Sequence, residues 1–476
     1  MSTEHKTHDV VGVGLGPFGL GLAALAQPLA DVDALFLDQA PEFRWHPGMM
    51  IEGSTIQVPF LADLVTMADP TSPYSFLAFL KATGRLYPFY VRESFYPLRA
   101  EYDAYCRWVA AQLPTLRWNR RVVAVEHDEP ADTFVVRADV LGPDGTAAVQ
   151  ETYRARHVVL ALGTRPVLPQ PLRALAADVA HRPEAGPVVH SADYLPHREA
   201  LAASGAVTVV GSGQSAAEVY RDLLEQVHEG GPRLDWVTRS PRFFPMEYTK
   251  LTLEMTSPEY TDHHRSLPLE LRQLLAREQR GLSKGISSRL VDDIYDTLYR
   301  KSALGRHVPT TLLTDTEVVA ARHDETTGEH VLTLRHAQLG RTHEHRTRAV
   351  VAATGYASAV PGLLDPVRHL VRLDELGRLD PTRDYRLDDA GRLHVMGVEE
   401  HTHGVTAPDL GFGAWRASVV LADVTGREPY PVEHRTAFQT FGLPDDAGPG
   451  PAPGAGGVAG GNGYARTDET APEATR

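Results

Sequence analysis

A chain of 476 residues is too long for one ordinary hydrophobic core and suits two or three domains, or one domain inserted into another. Its formal charge of −14 argues against a nucleic-acid binder, which would carry a basic patch. With Cys106 as the one cysteine, an intramolecular disulfide and a paired-cysteine redox centre are both excluded, and Cys106 reads as a small core residue.

The uncharged run from Val10 to Ala30 could be mistaken for a membrane span or a signal peptide. It is broken by Gly12, Gly14, Gly16, Gly19 and Gly21 and has no basic segment ahead of it, so a cytoplasmic protein with no membrane partner is expected. The run reads instead as a buried strand ending at Gly12, a turn Gly12-Val-Gly14-Leu-Gly16-Pro17-Phe-Gly19, and an apolar helix from Leu20 to Ala26. Glycines there let the backbone turn tightly and approach a pyrophosphate at the helix N-terminus. About twenty residues on, the strand from Ala34 ends in Asp38, placed to accept from a ribose 2′-hydroxyl.

Further along, apolar β-branched runs lead into Gly163, Gly211 and Gly355. The run into Gly211 opens a second turn, Gly211-Ser212-Gly213-Gln214-Ser215, followed by Val219, Leu223, Leu224 and Val227 at helical spacing. The next strand, from Leu234 to Thr238, ends at Arg239 with no acid at its tip, which suits a 2′-phosphate and favours NADPH over NADH. Asp292 to Tyr299 reads as an amphipathic helix. The 22 histidines form no metal-ligand set, and the pair His263-His264 in its polar stretch reads as solvated. From Leu443 onward, Gly, Pro, Ala and acidic residues predict a disordered tail.

The expected fold class is therefore α/β, with two Rossmann-like dinucleotide-binding domains, for FAD and NADPH, and a small substrate-binding region. Residues 8–190 and 355–442 are expected to form the FAD domain. Residues 191–354 are expected to form the NADPH domain, with a substrate-facing helical insertion at about 244–303. Two dinucleotide sites without a redox cysteine pair send the electrons to oxygen or to an external acceptor.

These residues resemble the microbial N-hydroxylating flavin monooxygenases, the lysine, ornithine and diamine hydroxylases of siderophore pathways. The likeness runs from about His8 to Gly442. It is carried by Gly12 to Pro17, Phe43-Arg-Trp-His-Pro-Gly-Met49, Gln57-Val-Pro-Phe-Leu61, Asp69 to Ser72, Gly211 to Ser215, Ala353-Thr-Gly-Tyr356 and Thr402-His-Gly404. The resemblance implies that NADPH reduces FAD, that the flavin captures O2 as a C4a-hydroperoxide, and that a neutral amine attacks its distal oxygen. An alkylamine of pKa about 10.4 is almost wholly protonated at neutral pH, so the site must help remove that proton. It also implies cofactor contacts at Asp38, Trp45, His46, Val122, Pro408, Asp409 and Leu410, a catalytic place for Gln57 beside flavin and nicotinamide, and a homo-oligomer, tetramers being common among relatives.

Substrate choice is where the sequence departs from the amino-acid hydroxylases. Those enzymes carry a lysine at the position of Ala62, where it pairs with the substrate carboxylate. A buried carboxylate without such a partner is destabilised by roughly several kcal/mol. A second contact is replaced by Leu253, and Gly285 offers no polar side chain at a third. The expected substrate is a linear diamine, cadaverine before putrescine, with Glu254, Glu247 or Asp409 taking the remote ammonium and Gly411 beside them. L-lysine or L-ornithine is the alternative, with Lys250 or Arg289 as the compensating cation. A Baeyer–Villiger or sulfur monooxygenase shares both glycine turns but not the Gln57 and Trp45-His46 segments. A catalytically silent flavoprotein scaffold would keep the yellow colour and fail to bleach with NADPH.

Overall fold

A computed structural model describes residues 6–182 and 184–443. Apart from Leu443, the tail expected to be disordered lies outside the described residues.

The first strand, Thr7–Val13, pairs in parallel with Ala34–Leu37 on one side and Ala147–Leu160 on the other. Such a strand is buried on both faces, which explains its unbroken apolar run. Val10 and Phe36 pack with Leu20, Leu25 and Val420 on one face, while Val11, Val13 and Leu37 pack with Leu364 and Leu393 on the other. Leu116–Arg117 extends one edge, and the antiparallel strands Thr133–Leu141 and Arg120–Asp128 extend the other. Leu393–Val395 returns from far along the chain to pair with Val158–Leu160, completing a seven-stranded sheet. The C-terminal part of the chain thus rejoins the first sheet.

The second sheet is five-stranded and parallel, in the order Thr310–Leu313, Arg233–Val237, Ala206–Val210, Ala349–Ala352, Val188–His190. This corrects the boundary expected at 190/191. The strand Val188–His190 lies inside the second sheet, and the helix Gln170–Val179 packs Leu172 and Leu175 against Val210 and Val350. The crossover sits earlier, at a two-stranded strap pairing Arg165–Pro166 with Tyr356–Ala357. Three antiparallel strands, Thr316–Asp324, Glu329–His336 and Arg341–Thr347, flank the second sheet.

Between residues 250 and 302 the chain is helical: Lys250–Leu253, Pro258–Ser266, Leu269–Glu278, Arg280–Ser283 and Ser288–Ser302. Ser288–Ser302 packs on Gln214–Leu224, and Pro258–Ser266 packs on Glu400–His403. That second contact corrects the solvated reading of His264, which is buried with its Nδ1 3.1 Å from the Thr402 carbonyl.

The C-terminal segment ties this lobe to the first domain. Tyr430 Oη donates to the Leu25 carbonyl at 2.8 Å, and Trp415 Nε1 donates to Glu433 at 2.9 Å. Glu259 then accepts the backbone N–H groups of Thr436 and Ala437, and Glu254 those of Phe438 and Gln439. No helix among the described residues is long and apolar enough to cross a membrane, and Cys106 is buried.

Candidate active site

The first glycine turn is set by Gly14, whose φ of +100° and approach to the Ala161 carbonyl leave no room for a side chain: a Cβ would stand 2.4 Å from that oxygen. Gly16 differs, since a Cβ there would meet nothing within 4 Å. Its lack of a side chain serves open space in front of the helix Pro17–Ala26, whose N-terminus has neither a side-chain cap nor an acid in its first turn. Unsatisfied amides at a helix start, facing such a space, fit the pyrophosphate of FAD. Asp38 braces the turn: Oδ2 accepts from Leu15 N at 2.7 Å and Oδ1 from Ala40 N at 2.8 Å. Arg120 N donates to the Asp38 carbonyl at 2.7 Å, which brings the Val122 strand alongside and gathers the residues expected at the adenosine end.

The second turn repeats the design. Gly211, with φ +148°, passes so close to Ala353 that a Cβ would lie 2.2 Å from its carbonyl oxygen. The helix Gln214–Leu224 again starts without a side-chain cap or acid. Gln214 reaches out of this turn, accepting from Ser287 N at 2.9 Å and donating to Glu218 Oε1 at 2.9 Å. Ser212 and Ser215 are half-buried beside it, and Arg239 is exposed at its strand end.

Between the turns lies the segment expected at the flavin edge. The Trp45 ring stands 4.9 Å from Tyr102, and its backbone N–H donates to Asp103 at 2.8 Å. His46 has φ +47° and lies 5.9 Å, edge-on, from Tyr356. The residue is solvent-exposed, with Trp45 and Tyr356 flanking its ring. Desolvation by the surrounding protein, followed by the nearby Arg99 charge, lowers its pKa to about 4, so the imidazole is neutral at physiological pH. Gln57 donates its side-chain amide to the Thr55 carbonyl at 2.9 Å.

At the end expected to take the substrate, Ala62 is a buried methyl group. A Cβ built on Gly411 would lie 3.6 Å from Ala62 Cβ and 2.9 Å from Asp409 Oδ1, so Ala62, Asp409 and Gly411 share one wall. Leu410 is half-buried, and Asp409, which follows the exposed Pro408, accepts from Phe412 N at 3.2 Å. Its deep setting pushes its carboxyl pKa up, opposed by the backbone N–H groups of Gly411 and Phe412 and by Arg416.

Three other substrate expectations fall elsewhere. Glu254 is committed to Phe438 and Gln439, so its carboxylate is not free for an ammonium. Gly285 has a packing reason for its missing side chain, because a Cβ would stand 2.6 Å from Met246 Cα where Met246 N bonds the Ile286 carbonyl. Leu253 is 48% exposed at the end of its short helix. Of Ala62, Leu253 and Gly285, Ala62 is the one that lies on the wall with Asp409. Lys250 and Arg289, the candidate compensating cations, are both exposed.

Two buried ion pairs escaped the sequence reading. Arg99 donates to both carboxylate oxygens of Glu218 and to the Met49 carbonyl, and Arg416 lies 3.2 Å from Glu399 with both side chains wholly buried. Each had a signal in the sequence, a lone charge inside an apolar stretch: Glu218 between Ala217 and Val219, and Arg416 between Trp415 and Ala417.

Residues 6–358 match the family model described as L-lysine 6-monooxygenase/L-ornithine 5-monooxygenase. The chain belongs to this family. Its members are flavin-dependent N-monooxygenases. Over 440 residues the chain is 43% identical to a putrescine N-hydroxylase of Shewanella oneidensis, covering 92% of this chain and 85% of the relative. The crystal structure of a cadaverine monooxygenase of desferrioxamine biosynthesis from Erwinia amylovora, bound to FAD, matches with a TM-score of 0.85 and 43% identity over 92% of this chain and 99% of that one. An ornithine N-hydroxylase from Kutzneria, solved with reduced FAD, NADP+ and L-ornithine, matches with a TM-score of 0.78 and 26% identity over 88% and 99%.

Proposed function

We propose that this enzyme N-hydroxylates one terminal amine of a linear diamine, with FAD, NADPH and O2, to supply hydroxamate siderophore biosynthesis. The observation that carries the reading is the wall made by Ala62, Gly411 and Asp409, which presents a methyl, a bare backbone and a carboxylate where an amino-acid substrate would need a cation. A ligand carboxylate facing Asp409 would suffer like-charge repulsion and desolvation, whereas an ammonium would be attracted. The relatives that hydroxylate putrescine and cadaverine stand at 43% identity, against 26% for the Kutzneria ornithine enzyme.

The overall conversion balances as R–NH2 + O2 + NADPH + H+ giving R–NHOH + H2O + NADP+. Reduced FAD, when bound, supplies the activated oxygen atom. The protein's own work is to hold the dinucleotides at the two helix N-termini, fix the remote ammonium at Asp409, and place the reacting amine, as a free base, beside Gln57. His46, neutral at physiological pH, adds no positive charge that would oppose an amine there. Within the diamine class we favour cadaverine over putrescine, and because one methylene is worth only about 1–3 kcal/mol this is a preference and not an exclusion.

The test is hydroxylamine formation by purified protein with NADPH and each of cadaverine, putrescine, lysine and ornithine. Diamine turnover far above amino-acid turnover is expected. Efficient lysine or ornithine turnover would overturn the substrate assignment and leave the enzyme class standing.

A further inference from the structure

Beside the wall of Ala62, Asp409 and Gly411 one buried cation pairs with one carboxyl and braces the turn that carries a second. Arg416, in the helix Gly413–Thr425, donates through Nη2 to the carbonyls of Thr406 and Ala407, both at 2.8 Å. Its guanidinium lies 4.5 Å over the ring of Phe18 in the first glycine turn and its Nε faces Glu399 Oε1 at 3.2 Å. The Asp409 backbone N–H donates to that same Thr406 carbonyl at 3.3 Å, so Arg416 stands directly behind the turn that carries Asp409. Glu399 is itself held in place, its Oε2 accepting from Val398 N at 2.7 Å.

Buried charges need compensation, and one guanidinium cannot neutralise two carboxylates. Burial pushes the pKa of both Glu399 and Asp409 up, and Arg416 pulls each of them back. Glu399 takes the close ion pair of Arg416, and Asp409, beside Ala62 and Gly411, has no ion-pair partner among the described residues, which leaves a charge deficit there when it is ionised.

We propose that Glu399 and Arg416 are positioning residues for substrate choice: Glu399 occupies the charge of Arg416, so that Asp409 is left undercompensated until the remote ammonium of a diamine settles beside it. The proposal rests on the diamine reading and names what makes that end of the site seek a cation. A monoamine of the same length brings no second charge and leaves the deficit in place.

The experiment compares kcat/KM for cadaverine and pentylamine in wild type, Glu399→Gln and Arg416→Lys, with FAD content and melting temperature recorded for each. A wild type that prefers lysine to cadaverine would remove the diamine reading itself; the variants test the charge sharing. In Glu399→Gln, Arg416 serves Asp409 alone, and the cadaverine-to-pentylamine ratio is expected to fall about 5- to 20-fold, through the diamine KM and not kcat. Arg416→Lys keeps a cation and should hold the ratio within about threefold, even where loosening of the 406–409 turn lowers both rates. A Glu399→Gln ratio equal to wild type, or both substrates declining together, would overturn the proposal. If Glu399→Gln cannot retain FAD, Glu399→Asp, which keeps the charge, must preserve the ratio, and its collapse would have the same force.

Discussion

Arg99 and Glu218 form a two-pronged ion pair, at 2.8 and 2.7 Å, between the helix Arg99–Ala110 and the helix Gln214–Leu224 that follows the second glycine turn. Arg99 also grips the Met49 carbonyl, while Glu218 accepts from Gln214, which in turn binds Ser287. One continuous chain of hydrogen bonds therefore runs from the segment at Met49 through the second glycine turn to the helical lobe.

Removing one partner of this pair strands a charge in low dielectric. Arg99→Ala is expected to lower stability by about 3–5 kcal/mol in urea unfolding, and to raise the KM for NADPH. An Arg99→Met, Glu218→Met double variant should recover much of the stability and not the KM, because the apolar pair fills space but no longer orients Gln214.

Ala62→Lys would place an ammonium on the same wall as Asp409. Diamine kcat/KM should drop by roughly tenfold or more, since the lysine takes the carboxylate the substrate needs. Unchanged diamine kinetics would show that the remote ammonium sits elsewhere.

The open space before Gly16 predicts a dissociation between fold and cofactor. Gly16→Ala should shift the melting temperature of the apoprotein by only a few degrees, within about 1 kcal/mol for a changed helix cap. Its FAD dissociation constant should rise tenfold or more on an order-of-magnitude scale, because the methyl fills space meant for the pyrophosphate. Gly14→Ala, by contrast, should fail to fold stably.

Acid should weaken the fold between about pH 6.5 and 4. Burial, with the neighbouring His394 ring adding to it, lowers the His157 pKa to about 4, below that of a free histidine near 6.5. Between those values the unfolded chain binds the proton that the native state refuses, so stability falls as pH drops through this window. The full shift corresponds to roughly 3 kcal/mol. Urea unfolding of His157→Gln at pH 7 and pH 4.5 should show a smaller loss than wild type. Asp423 does not contribute there: burial opposes its ionisation, but bonds from His394 and Arg386 outweigh that and hold it at about 2, so its contribution is lost only as pH falls below the ordinary carboxylate range.

What could be read from the sequence was local in origin. A glycine turn between a strand and a helix is fixed by residues a few positions apart, so the turns at Gly14 and Gly211 and the helix Ser288–Ser302 fall where the spacing predicts. The misplacements involve partners distant along the chain. Gly285 meets Met246, Glu254 meets Phe438, and Val188–His190 finds its sheet partner at Val350–Ala352, none of which a spacing argument can see. Ala62 likewise meets Gly411 and Asp409, more than 340 residues further on, so the character of that wall is not visible from its local segment.

The grip of Glu254 and Glu259 on four consecutive backbone amides, from Thr436 to Gln439, divides the chain's end into two parts with different tolerance. Shortening or tagging the protein after Leu443 leaves that clasp whole. A stop codon at Arg435 would instead leave two carboxylates without donors and cut the helical lobe loose from the Tyr430 anchor, so amine capture should suffer before flavin retention does.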